Sequence, residues 1–416
     1  MAVKKTEEAN GGRYVSRSLL WLAWKKFRAH PLAKWGGAIL GVLYGVMVFA
    51  EFVAPYNFKT DTKRKPYCRP VTVHFFDEYG RFHLRPFVYN YRRTLDPETF
   101  ETRYVEDRTT RYPLTLFAKG DRYQLWGIKG LTWDRHLFGI EQNDDDDDDR
   151  PMLYLWGSDE FGRDLLSRVI WGARVSLTIG LVGFAITFTI GMIMGGVSGY
   201  FGGGVDLGVQ RLCEMLMLFP FFYLLLTLRA AIPASLDSRQ IYFAITIIMS
   251  VIGWAGIARV IRGMVLSVAQ REYALAARAL GVGHFRIITR HILPNTFSYA
   301  IVAATVSIPA YMIGESGLSF LNLGIQEPYA SWGNMLSAAQ AVTEIKYHPW
   351  VLIPGAMIFV AVVAFQFLGD GLRDAFDPKM GQTVTKGQFE ALRKKLMAKE
   401  SSKRHVEQPA PQPSGP

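Results

Sequence analysis

Residues 175–205 read VSLTIGLVGFAITFTIGMIMGGVSGYFGGGV, 31 residues without a charge. A bilayer core about 30 Å thick needs about 20 apolar residues in helical form, so this stretch alone is longer than one crossing. Working outward, five further runs are charge-poor. They are residues 36–54, interrupted by Glu51; 215–228, with Arg211, Glu214 and Arg229 at its ends; 240–258; 292–314; and 347–369. One such run fits a buried helix of a soluble protein, but six do not. The expected fold class is an all-α polytopic membrane protein with six transmembrane helices, plus a small β-rich extracytoplasmic insert.

Composition agrees. Half of the 416 residues are apolar, yet the mean hydropathy is only +0.10, because charge is dense outside the six runs. A disordered chain would be apolar-poor. The net charge of +11 lies beside apolar spans, which excludes a nucleic-acid reading. Two cysteines, Cys68 and Cys213, cannot form a disulfide framework. Signal-peptide apolar regions run to about 7–15 residues and end in a small-x-small site. The first run is longer and lacks that site, so it reads as an uncleaved signal anchor.

Orientation follows from Lys and Arg near the span ends. Residues 1–34 hold eight basic residues against two acids, and the tail from Arg373 holds nine. Between spans four and five, Arg259, Arg262, Arg271, Arg278, Arg286 and Arg290 face Glu272 alone. With six spans these three segments share one side, expected to be the cytoplasm, with both termini there. The expected organisation is a cytoplasmic segment 1–34, a first transmembrane helix 35–54 and an extracytoplasmic insert 55–171. A five-helix core 172–372 with a cytoplasmic loop 262–294 follows, then a tail 373–416 that is disordered at its Pro-rich end. On this reading Cys68 lies outside and Cys213 near the cytoplasmic face.

Within the insert, residues 71–76, a turn at Asp77-Glu-Tyr-Gly80 and residues 81–89 predict a β-hairpin. Residues 112–117 and 122–128 predict another. Residues 144–149 are six consecutive aspartates; they read as a repelling, solvated loop, since an ordered calcium site wants spaced ligands and a turn glycine. His74, His83 and His136 lack metal-ligand spacing.

The loop segment Arg271-Glu-Tyr-Ala-Leu-Ala-Ala-Arg-Ala-Leu-Gly281 is strongly helical by propensity. Leu275, Ala276, Ala279 and Leu280 share one face, and Gly281 and Gly283 stop the helix. Small alanines would let a partner approach closely, which predicts docking of a cytoplasmic partner. An interfacial helix lying on lipid is the other reading. Glu51, Glu214 and Arg229 sit near span ends, where snorkelling is the ordinary account. Pro309 and Pro354 are expected inside spans five and six as kinks. There is no G-x4-G-K-[ST] phosphate loop.

This loop resembles the signature of ABC importer permeases, with Ala276, Ala277, Gly281, Leu293 and Pro294 at matching spacing. Leu275 and His291 depart from the general pattern but match the oligopeptide/dipeptide branch. Residues 156–168, 202–206, 315–324, 332–334 and 367–378 also resemble the C-type permease of that branch. The resemblance covers most of 20–54 and 155–380, although the family's first external loop is usually shorter. It implies a type I ABC importer permease fold and peptide transport through half of a shared pathway. It implies separate partners: a homologous B-type permease, two ATP-binding subunits that carry ATP and Mg, and an extracytoplasmic solute-binding protein. The chain itself would be no enzyme and hold no cofactor or metal. Glu272, Tyr273, Ala276, Ala277, Arg278 and Gly281 are the expected ATPase-coupling residues, and Arg229 and Glu315 the candidates on the substrate path. Nickel or oligosaccharide permeases are the alternative within the family. An ion-coupled secondary transporter would need mid-span acids and internal repeats, and a membrane-anchored sensor would not need the docking loop.

Overall fold

The computed structural model describes residues 24, 26–60, 65–95, 97–98, 102–128, 130–140, 151–233 and 235–376. The aspartate run and the C-terminal tail lie outside these residues, as does most of the N-terminal segment. The chain divides into two compact units, 1–34 with 369–416, and 35–368. In the first, Asp374 lies 3.6 Å from His30, and Gly371 leaves room for Ala33.

The membrane helices are α1 (Pro31–Val48), α2 (Leu165–Phe201), α3 (Gly203–Leu218), α4 (Phe221–Ala230), α5 (Ser238–Ala269), α7 (Phe297–Phe320) and α8 (Ile353–Phe376), with a short α6 (Glu272–Ala279) between α5 and α7. Among the described residues five of them are long and apolar enough to cross a membrane, and the pair α3 and α4, bent by 85°, makes a sixth if the two count as one span. The expected continuous third span is therefore corrected. Pro220 has no N–H to donate and disfavours helix at the residue before it. Phe219 accordingly turns extended, at φ −84° and ψ 134°.

Helix α2 begins inside the stretch assigned to the insert, because Asp164 caps it by accepting a hydrogen bond from Ser167 N at 2.8 Å. It is about 55 Å long at 1.5 Å per residue. Gly202, at φ +65°, ends it, so the last three residues of the 175–205 run belong to α3. Gly191, Gly195 and Gly199 lie four residues apart on one face. A Cβ at Gly195 would meet Ala258 O at 2.4 Å, and one at Gly199 would meet Arg262 O at 2.8 Å. The stripe thus lets α2 and α5 pack backbone to backbone, a common solution where water supplies no driving force between helices.

Pro309 lies within α7 as expected, but Pro354 does not interrupt a helix. It is the second residue of α8, in the first turn, where proline is tolerated. Glu51 does not snorkel. It is buried and forms an ion pair with Arg174, whose Nη1 donates to Oε1 at 2.6 Å.

The insert is β-rich as expected. A four-stranded antiparallel sheet runs β1 (His74–Phe76), β2 (Phe82–Leu95), β3 (Thr102–Leu116) and β6 (Phe138–Ile140), and β4 (Lys119–Gln124) pairs with β5 (Thr132–Arg135). The first hairpin forms, with Phe76 opposite Phe82. The second does not: residues 112–116 instead pair with β2 and β6, setting Tyr112 opposite Val88 and Leu114 opposite Ile140. Strand β4 turns back through Trp126, at φ +54°, onto β5. Tyr56, Cys68, Val88, Tyr91, Leu153 and Tyr154 form the core beneath the sheet. Cys68 and Cys213 are both free and buried, in separate clusters. Burial pushes the Cys68 thiol up to about 12.

Candidate functional site

Helix α6 is held from below by two small residues. Ala274 and Ala277 are buried, and Ala277 sits in a cluster with Ile257, Ile261, Val265 and Val268 of α5 and with Ile287 and Ile292. Ala277, expected among the ATPase-coupling residues, is therefore the anchor of the helix. The stop at Gly281 has a clear cause. Gly281 N donates to Arg278 O and Val282 N to Ala277 O, both at 3.1 Å, which is a Schellman cap. It needs the left-handed φ of +75° that Gly281 supplies.

The remaining face points outward. Glu272, Tyr273, Leu275, Ala276, Arg278, Ala279 and Leu280 are all exposed. Leu280 is 83% exposed, and Phe285, just beyond the helix, is 81% exposed. Phe285 was not singled out from sequence, because it follows the glycine stop and belongs to no amphipathic pattern. Tyr273 is tethered through Asn295, whose Nδ2 reaches Tyr273 Oη at 3.3 Å and donates to His291 O at 2.9 Å. Arg278 makes no ion pair with Glu272 among the described residues. Its guanidinium stacks 5.0 Å from the Tyr200 ring, and Tyr200 in turn hydrogen-bonds His284 at 2.8 Å. Residues 287–292 form a π-helical turn, a feature often found at functional sites.

The two substrate-path candidates are placed differently. Arg229, at the end of α4, is buried, with Nε donating to Leu323 O and Nη1 to Ile232 O. Glu315 is fully buried in α7 and accepts from Ser319 Oγ at 2.7 Å, with Ser176 Oγ of α2 at 3.5 Å. Both side chains serve the joints between elements, and the structure does not bring them together with α6. The histidines of the insert are also engaged: His74 with Glu106, His83 with Asp77, and His136 with Ala54 O. Among the described residues no group of three metal-ligating side chains occurs.

Comparison with known proteins accords with this geometry. The family described as "Binding-protein-dependent transport system inner membrane component" matches residues 187–382. The "N-terminal TM domain of oligopeptide transport permease C" matches residues 18–67. The "Dipeptide transport system permease protein DppC" of Bacillus subtilis is 42% identical over 55% of this chain and 69% of its own length. The "Oligopeptide transport system permease protein OppC" of Haemophilus influenzae is 42% identical over 54% of this chain and 70% of its own. That of Bacillus subtilis is 37% identical over 55% and 72%. The chain therefore belongs to the C-type permeases of the oligopeptide and dipeptide ABC transport family, as a multi-pass inner-membrane protein.

Proposed function

We propose that this chain is the membrane subunit of an ATP-driven peptide importer that forms half of the translocation pathway and receives its drive through α6. The observation that carries the coupling role is the exposure of Leu275 and Leu280 on a helix whose opposite face is anchored on α5, with Phe285 exposed just beyond it. Large apolar side chains clustered in water mark interaction surfaces. The partners in this reading are a homologous B-type permease, two ATP-binding subunits and an extracytoplasmic solute-binding protein. ATP and Mg belong to the ATP-binding subunits. Glu272, Tyr273, Ala276 and Arg278 lie on the contact side, while Ala277 and Gly281 hold the helix in shape.

Ala276→Asp tests this. A buried charge without a partner costs several kcal/mol, so co-purification of the ATP-binding subunits and peptide uptake fall at least tenfold at equal membrane expression. Ala276→Ser, without charge, keeps both within about twofold. Normal assembly and uptake in Ala276→Asp would remove α6 from the coupling path.

The proposed orientation places the insert outside and α6 in the cytoplasm. Both native cysteines are buried and contribute little background, since reaction requires an accessible thiolate. Thr109→Cys should react with an impermeant maleimide in spheroplasts and His284→Cys should not; the reverse pattern inverts the topology.

A further inference from the structure

Two cavities adjoin where α1, α2 and α5 end beside the insert. The first, of about 500 Å³, is walled by Met47, Val48, Val175, Tyr242, Phe243 and the indole of Trp126. The second, of about 470 Å³, is lined by Asn57, Phe58, Lys59 and Trp171. They share Arg174, Val175, Arg239 and Tyr329, so the two form one amphipathic space with an apolar half and a basic half. No acidic residue lines either half among the described residues.

The basic residues differ in how far they are committed. Arg174 is engaged by Glu51 and by the main-chain oxygens of Met47 and Val48. Arg239 and Lys59 are exposed and have no carboxylate within ion-pair reach among the described residues. The Lys59 ammonium stands 5.2 Å from the Tyr329 ring centre and 5.5 Å from that of Phe58. Two uncompensated cations above an apolar cavity, at the depth where Trp and Tyr ring a membrane, are complementary to a negative head group on an apolar tail. Basic pockets between transmembrane helices bind anionic lipid head groups for this reason. Below the cavity, Phe243, Ile247 and Val251 of α5 are exposed at four-residue spacing, a continuous track for an acyl chain.

The insert supplies the closing wall. Trp126 Nε1 donates to Val48 O at 2.8 Å, and its ring lies 6.0 Å from that of Phe49. Trp126 lies outside both matched family regions, residues 18–67 and 187–382. We infer that the insert and the ends of α1, α2 and α5 together form a site for one anionic phospholipid, its phosphate on Arg239 and Lys59 and its chain in the Trp126 cavity. The assignment holds whichever side of the membrane the insert occupies, and it does not depend on the coupling role of α6.

Brominated lipids test it by contact quenching. The full chain, co-purified with its partner permease, is placed in nanodiscs of brominated phosphatidylglycerol or brominated phosphatidylcholine. The emission difference between the native chain and Trp126→Phe isolates the Trp126 signal. That signal should be quenched at least twofold more by the anionic lipid. Lys59→Gln with Arg239→Gln should equalise the two lipids, whereas Arg239→Lys, which keeps the charge, should retain the preference. Equal quenching by both lipids in the native chain overturns the proposal. So does absence of Trp126 quenching in the assembled pair, which would show protein covering the cavity. Relief of quenching by added peptide would give the cavity to a peptide and overturn it equally.

Discussion

Two connections of similar length join the later helices, and they are built in opposite ways. In the stretch from α7 to α8, residues 330–335 turn inward, although Val342 beyond them is 79% exposed. Trp332 is 0% exposed, its Nε1 donating to Val169 O at 2.9 Å. Ser331 and Asn334 cap each other's backbone. Glu327 receives Arg168 Nη2 at 2.8 Å and a second contact from Arg163, which also holds Asp159 at 2.7 Å. The stretch from α5 to α7 turns outward, presenting Leu280 and Phe285 to solvent. A segment such as 330–335, whose polar and aromatic groups are satisfied within the chain, belongs to the fold. One that leaves large apolar groups uncovered is shaped for something else to cover them.

Substitutions at the two connections should separate stability from assembly. Trp332→Ala should have the largest effect, about 3–5 kcal/mol from the lost packing of a buried aromatic, read as a lowered melting temperature in detergent. An unchanged melting temperature would mean the inward connection is dispensable. Arg168→Met should cost on the order of 3 kcal/mol, because Asp159 and Glu327 would retain only Arg163. Restored stability when Glu327→Gln is added would assign the loss to the uncompensated carboxylate. Gly281→Ala forces a side chain into the left-handed region and should cost about 1 kcal/mol, with weaker assembly as α6 loses its stop. Leu280→Ala and Phe285→Ala should change the melting of the isolated chain by less than about 0.5 kcal/mol. They should nevertheless lower co-purification of ATP-binding subunits severalfold, and a fall in stability instead would make these residues part of the fold.

Much of this was legible in the sequence where the signal was local. Scarcity of charge located the spans, alternation with a turn at residues 77–80 located the first hairpin, and alanines followed by Gly281 located α6. What was missed depended on distance along the chain or on a single residue. Hydropathy averages over Phe219 and Pro220 and so reads a bent pair as one span. Strand β3 finds its partners in β2 and β6, which no local pattern reports. The partner of Glu51 is 123 residues away, so an ion pair read as a snorkelling acid. The two faces of α6 differ by which alanines meet α5, and alanines at 274, 276, 277 and 279 are indistinguishable by composition. The stripe at residues 191, 195 and 199 was visible as a four-residue repeat, but only its contact with α5 gives it meaning.

That stripe also has a mechanical consequence. Helix α5 is about 48 Å long at 1.5 Å per residue, and backbone-to-backbone packing leaves little compliant side-chain material between it and α2. The pair should therefore be stiffest over that stripe, near the end where Ala277 of α6 is seated. A tilt of about 10° pivoted at one end of a helix this long sweeps the other end through about 8 Å. If α6 receives the drive as proposed, a rigid tilt of α5 would carry it to the far end of that helix as leverage.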